Sequence, residues 1–155
     1  MKVRLLTVSQ RQPAWVVEGC TEYEKRLPRA WQFQLVEIKP EARTSGVTTQ
    51  RVQSGEAVRI RNATPKGAVV VALDERGESW STERFASQIE GWQGSGRDLV
   101  FVIGGADGLD PDFRDQADHR MSLSSMVMPH GLVRVVVVEQ LYRAATVLNG
   151  HPYHK

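Results

Sequence analysis

The stretch Leu99-Val100-Phe101-Val102-Ile103-Gly104-Gly105-Ala106-Asp107-Gly108 decides the fold. Five aliphatic or aromatic residues in a row, stopped by glycines, read as a strand covered on both faces, as in parallel sheets. A second apolar run, Ala68-Val69-Val70-Val71-Ala72-Leu73, has the same character. Downstream, Ser122-Leu123-Ser124-Ser125-Met126-Val127-Met128-Pro129-His130-Gly131 again ends in small and turn-forming residues. Ligands bind beyond the carboxyl ends of the strands in open α/β sheets. Adjacent loops of this kind therefore predict one binding site, built late in the chain.

Working outward, residues 3–8 form a short aliphatic strand. Pro13 opens a helix marked by Trp15, Val16, Gly19, Tyr23 and Leu27, and Pro28 closes it. Phe33, Leu35, Val36 and Ile38 give a second strand, followed by a loop over 40–48. A weakly patterned helix runs from Thr48 to Ala63, with Val52, Ala57 and Ile60 as its apolar marks. Asp74-Glu75-Arg76-Gly77 is expected to be the loop after the 68–73 strand. Ser81 or Thr82 caps a helix with Phe85, Ile89 and Trp92 on its core face, and Gly94-Ser95-Gly96 stops it. Asp110-Pro111 starts a short helix, and 121–127 reads as another strand. Val133 and Val135 to Val138 have strand propensity, but no turn signal interrupts the run through Leu148, so 132–148 is read as a helix. The alternation predicts one α/β domain over residues 1–155, its largely parallel sheet flanked by helices.

Composition narrows the function classes. A chain of 155 residues with net charge +2 is mildly basic, which permits an RNA partner without demanding one. No apolar run reaches the ~20 residues of a membrane span. Cys20 is the only cysteine, so no intrachain disulfide forms and a cytoplasmic location is expected; Cys20 itself reads as a small buried helix residue. Gly94-Ser95-Gly96 precedes a strand rather than following one, which excludes a dinucleotide fingerprint. No phosphate loop is present. His151 and His154 have only His119 and His130 as possible co-ligands and no carboxylate pattern, so no metal is expected.

The loops favour a flat, heterocyclic ligand. Gly104, Gly105 and Gly108 let a ligand approach the backbone. The Ser122–Met128 stretch offers backbone hydrogen bonds and an apolar wall. The ending His151-Pro152-Tyr153-His154-Lys155 is either a polar chain end or a segment folded over a substrate, where it would stack on RNA bases. Arg143, after Tyr142, is a solvated charge or a phosphate ligand.

These residues together resemble the SPOUT methyltransferases. The resemblance covers the whole chain and rests on Thr21-Glu22-Tyr23, Ala72-Leu73-Asp74, Ile103-Gly104-Gly105, Ser122-Leu123-Ser124, Pro129-His130, Leu132-Val133-Arg134-Val135, Glu139-Gln140-Leu141-Tyr142-Arg143-Ala144 and His151-Pro152-Tyr153-His154. It implies a deep trefoil knot near the C-terminus, a homodimer with the site near its interface, and S-adenosyl-L-methionine as cofactor. Carried over, the cofactor contacts fall on Leu73, Gly104, Leu123, Ser124, Ser125, Met126, Val127 and Met128. Ala106-Asp107 and Gly131 depart from some relatives without touching those positions. The reaction implied is methylation of N3 of a pseudouridine in 23S rRNA of the assembled ribosome. Its N3 proton must leave, which makes His154 and Tyr153 catalytic candidates, with Arg143 orienting RNA. The alternative is a ribosome-associated RNA-binding factor without catalysis, against which the retained Gly104-Gly105 and 123–128 loops argue.

Overall fold

The computed structural model describes residues 1–155. Five strands form one sheet in the order β2-β1-β4-β3-β5, every pair parallel. The strands are β1 (Val3–Val8), β2 (Gln34–Ile38), β3 (Val69–Ser79), β4 (Leu99–Ile103) and β5 (His119–Ser122). The helices are α1 (Ala14–Glu24), α2 (Thr49–Ala63), α3 (Thr82–Ser95), α4 (Pro111–Gln116) and α5 (His130–Asn149). No helix is long and apolar enough to cross a membrane.

The continuous apolar runs became central strands, as expected for strands covered on both faces. All five residues of β4 are buried. On one face Leu5, Val71 and Phe101 pack with Phe85, Ile89, Val138 and Leu141 of α3 and α5, and with Val16 and Cys20 of α1. On the other, Leu6, Ala72, Val100 and Val102 meet Ala57 and Ile60 of α2 and Phe113 of α4. Burial pushes the Cys20 thiol up to about 11, so it stays protonated and inert, as the sequence suggested.

Helix ends follow the local signals. Thr48, Ser81 and Asp110 each cap a helix by accepting a backbone N–H three residues on. Gly96 and Gly150 close α3 and α5 in the left-handed conformation. The valine-rich run is helical, and α5 begins two residues before the expected 132. Its β-branched side chains are accommodated because Val137 and Val138 are buried between α5 and the sheet. The cost in propensity, under ~1 kcal/mol per residue, is smaller than the stabilisation from burying a valine, ~1.5 kcal/mol or more.

Two expectations are corrected. The stretch 74–77 is not a simple loop: β3 continues to Ser79 and pairs with β5 again after a shift, Leu73 and Glu78 both standing opposite Met121. A β-carbon on Gly77 would lie 2.7 Å from the Arg120 carbonyl carbon, so glycine permits this close return. Conversely, strand structure does not extend over 121–127. β5 stops at Ser122, where the Ser122 hydroxyl donates to the Ser124 carbonyl (2.9 Å) and turns the chain.

Candidate active site

Strands β3, β4 and β5 are neighbours, so their carboxyl ends open side by side. Beyond them lies a cleft of about 730 Å³. Leu73, Ile103, Leu109, Met121, Leu123 and Val133 give it apolar walls. The segments Gly104–Leu109 and Leu123–Met128 form its rims.

The first rim is a tight turn. Gly108 donates its N–H to the Gly105 carbonyl (2.9 Å) and has φ +79°, a value suited to glycine. A β-carbon on Gly104 would stand 2.9 Å from backbone atoms of Gly108 and Leu109. Glycine is thus demanded first by the loop folding onto itself, a reason the sequence alone did not supply. At Gly105 the same test meets the Glu56 carboxylate at 2.8 Å. Glu56 is buried, accepts the Glu41 N–H (3.0 Å), and is held above the usual carboxylate range by that burial. Gln53 donates to the Asp107 carbonyl (2.7 Å), and Arg43 pairs with the Asp107 carboxylate (2.6 Å). Helix α2 and the loop before it therefore clamp this rim from behind.

His130 opens α5 and ties the two rims together. Its Nε2 lies 2.7 Å from the Gly104 carbonyl oxygen, to which it donates in the neutral ring. Its Nδ1 is buried without a partner. Burial lowers the pKa, the Gly104 contact opposes that, and nearby Arg134 adds to the lowering. The neutral ring is favoured, since protonation would place an unpaired N–H in the interior. The sequence quoted His130 as part of a motif but gave it no role; Pro129-His130 directly after the small-residue loop was the available signal.

The second rim carries its own turn, Ser124 Oγ accepting the Met126 N–H (2.9 Å). Met126 and Val127 are 76% and 81% exposed. The wall near β3 holds an ion pair, Arg114 Nε to Asp74 Oδ2 at 3.6 Å, and this Nε makes no hydrogen bond. Both residues are largely buried; the sequence quoted Asp74 within a motif without a role and did not single out Arg114.

Of the predicted cofactor contacts, Leu73, Gly104, Leu123, Ser124, Met126, Val127 and Met128 all line the cleft. Ser125 is on the same loop but exposed and outside the lining. Arg143, Tyr153 and His154 are elsewhere: about ten residues separate Val133 from Arg143 along α5, roughly 15 Å at helical rise. They form a second cluster. Arg143 pairs with Glu139 (2.7 Å), Tyr153 donates its hydroxyl to the same carboxylate (3.2 Å), and the rings of Tyr142 and Tyr153 are 4.5 Å apart. The Arg143 guanidinium lies 4.9 Å from the Tyr153 ring centroid. Desolvation, followed by the neighbouring Tyr23 hydroxyl and the Glu139 carboxylate, pushes the Tyr153 phenol up to about 12. The chain end is therefore docked rather than frayed, in a short 3₁₀ turn over Pro152–His154. No cluster of three or more His, Cys, Asp or Glu side chains is placed to hold a metal.

Comparison with known proteins places this geometry. Residues 1–154 match the family model described as "Predicted SPOUT methyltransferase". The chain is 50% identical over 155 residues to a Burkholderia cenocepacia protein named "Ribosomal RNA large subunit methyltransferase H", covering all of this chain and 99% of that protein. It is 48% identical, with the same coverage, to a Paraburkholderia xenovorans protein of the same name. The solved structure of a probable methylase family protein from Haemophilus influenzae superposes with a TM-score of 0.61. That likeness spans 99% of this chain and 70% of the other at 12% identity, and speaks for the fold alone.

Proposed function

The chain belongs to the SPOUT methyltransferase family, and from that premise we propose that it methylates N3 of a pseudouridine in large-subunit ribosomal RNA, using S-adenosylmethionine and acting on the assembled ribosome. The observation that carries the reading is the pair of rims. In a chain half identical to proteins named as ribosomal RNA large subunit methyltransferases, the Gly104 and Leu123–Met128 loops close on one cleft with apolar walls. The cytoplasm, where ribosomes reside, is the corresponding location.

The cleft fits the cofactor. Leu73, Ile103, Leu109 and Leu123 suit a flat heterocycle, and the glycine rim presents backbone close by. When bound, the sulfonium supplies an electrophilic methyl group. The protein's share is alignment of donor and acceptor and exclusion of water. Neutral His130 keeps the Gly104 carbonyl in place. The acceptor nitrogen must lose a proton, and His154 is our candidate to take it. Tyr153, held protonated with its hydroxyl on Glu139, positions the tail that carries His154, and Arg143 orients the RNA backbone.

Since the tail cluster stands at the far end of α5 from the cleft, we assign it to the cleft of a second copy in a homodimer. Trp15 and Val17 of α1, 56% and 50% exposed, and Met126 and Val127 beside the cleft are the apolar groups available for that contact. The family's deep trefoil knot, formed by the C-terminal third, is part of the same proposal.

The test is mass spectrometry of ribosomal RNA from cells with and without the protein, with methyl transfer to purified ribosomes measured alongside. A methylpseudouridine that disappears with the gene is the expected result. Unchanged RNA in its absence would overturn the reading. Cofactor binding without transfer would favour a non-catalytic RNA-binding factor.

A further inference from the structure

The charge of this chain is unevenly distributed. Residues 39–66 contain Lys39, Arg43, Arg51, Arg59, Arg61 and Lys66 against only Glu41 and Glu56, a formal +4. The whole chain carries +2, so the remainder is −2. Within α2 the sole carboxylate, Glu56, is buried behind the Gly105 rim and faces away from solvent. The opposite side of the helix presents Arg51, Ser54, Val58 and Arg61, spaced by three, four and three residues and all exposed, hence one stripe.

The same region holds cations with no counter-ion. Of 20 basic side chains, 11 lie within 4.0 Å of a carboxylate. Five of the other nine are Arg51 and Arg61 on α2, Lys39 beside Arg59, Lys66 just past the end of α2, and Arg4. Arg4 reaches the Ala63 carbonyl at the end of α2 (3.4 Å), and the Lys39 carbonyl accepts from Arg59 (2.7 Å). Arg61 is steadied over the Phe113 ring at 5.6 Å. From Arg51 to Arg61 the stripe runs about 15 Å. Its first residue, Arg51, lies one helical step beyond the cleft: Gln53, two residues on and on the other side of α2, lines the cleft and holds the Asp107 carbonyl.

We propose that this face of α2 is a docking surface for the sugar–phosphate backbone of ribosomal RNA flanking the methylated nucleotide. The inference rests on the ribosomal RNA reading above and adds where that RNA lies. Two unpaired guanidinium groups on one exposed stripe, with Lys66 just past its end, suit the phosphates of a backbone laid along it. A protein partner fits less well, since protein interfaces centre on aromatic and apolar anchors and this stripe offers only Val58. Contacts of this kind position the substrate and carry no sequence information.

The test compares Arg51→Gln/Arg61→Gln/Lys66→Gln with Lys25→Gln/Arg84→Gln/Arg120→Gln, which removes the same charge elsewhere. Binding to deproteinised large-subunit RNA is measured across salt, with methylation kinetics on ribosomes and calorimetry with S-adenosylmethionine. In the α2 variant, RNA affinity should fall about 10-fold or more, and the slope of log K against log salt should flatten by roughly 2. KM for ribosomes should rise while kcat and cofactor affinity hold. An RNA affinity and slope equal to wild type overturns the proposal. So does an equal loss in the control, or weaker ribosome binding with unchanged binding to naked RNA, which would point to an acidic protein surface. If the triple variant folds poorly, Arg51→Glu alone, at an exposed site with no ion pair, reads the same slope. A wild-type protein that methylates no ribosomal RNA overturns the functional reading instead, and the RNA-binding slopes still decide the surface.

Discussion

Gly104 joins the strand to the cleft with no room for a side chain. A β-carbon there meets the loop's own backbone at 2.9 Å, so even Gly104→Ala must displace the 104–109 rim. We predict that Gly104→Ala weakens S-adenosylmethionine binding by about 10-fold, and Gly104→Val abolishes it, with the sheet still folded; titration calorimetry and circular dichroism measure both. His130 titrates with a defined sign. Its folded pKa lies below the unfolded value of about 6.5, so its contribution to stability is full above that pH. That contribution is lost as pH falls from there towards the folded pKa. Thermal melts between about pH 7.5 and 5.5 should show a decline that is reduced in His130→Gln. Loss of the tether should also cost about 1 kcal/mol of cofactor binding, roughly five-fold. The motif was legible; the tether was not, because Gly104 and His130 are 26 residues apart and only their three-dimensional packing joins them.

At the scale of elements, the buried strand and the docked tail give opposite predictions. Phe101 in β4 is fully buried against Phe85. Phe101→Ala should cost about 3–5 kcal/mol in denaturant unfolding, through lost burial and the cavity left. Removing His151 to Lys155 leaves the core intact and should cost little more than the Tyr142–Tyr153 contact, about 1 kcal/mol. Methyl transfer should nevertheless drop by about 10²-fold or more, with cofactor binding changed only a few-fold. His154→Ala and Tyr153→Phe should each reproduce part of that loss. Wild-type turnover by the truncated protein would remove the tail from the mechanism. Element types followed from periodicity and caps, whereas the misread ones depended on pairing. The 74–77 segment is extended because β5 lies alongside it, and 123–127 is not, because Ser122 turns the chain away.

At the scale of the molecule, one chain holds the cleft proposed for the cofactor and the tail cluster at opposite ends of α5. Light scattering at micromolar concentration should therefore give the mass of a dimer, and a monomer mass would contradict the shared-site assignment. The protein should also methylate assembled ribosomes in preference to a short free RNA hairpin, since a chain of net charge +2 has little long-range hold on naked RNA. Equal methylation rates on the two substrates would count against that preference.

The α/β class, the parallel sheet, most helix ends and the loops that form the cleft were legible in the sequence, although α1 stops at Glu24 rather than running to Pro28. Each of these follows from local chemistry: burial on both faces of Leu99–Ile103, caps at Thr48, Ser81 and Asp110, and glycines where φ turns positive. Tertiary structure alone decided what stands behind those loops and what stands apart. Glu56 against Gly105, His130 on Gly104, Arg114 beside Asp74 and the Tyr153–Glu139–Arg143 cluster all join residues through packing. Periodicity records which face of an element is buried. It does not record which distant side chain lies against that face, because that depends on strand order and on the direction in which each crossover returns.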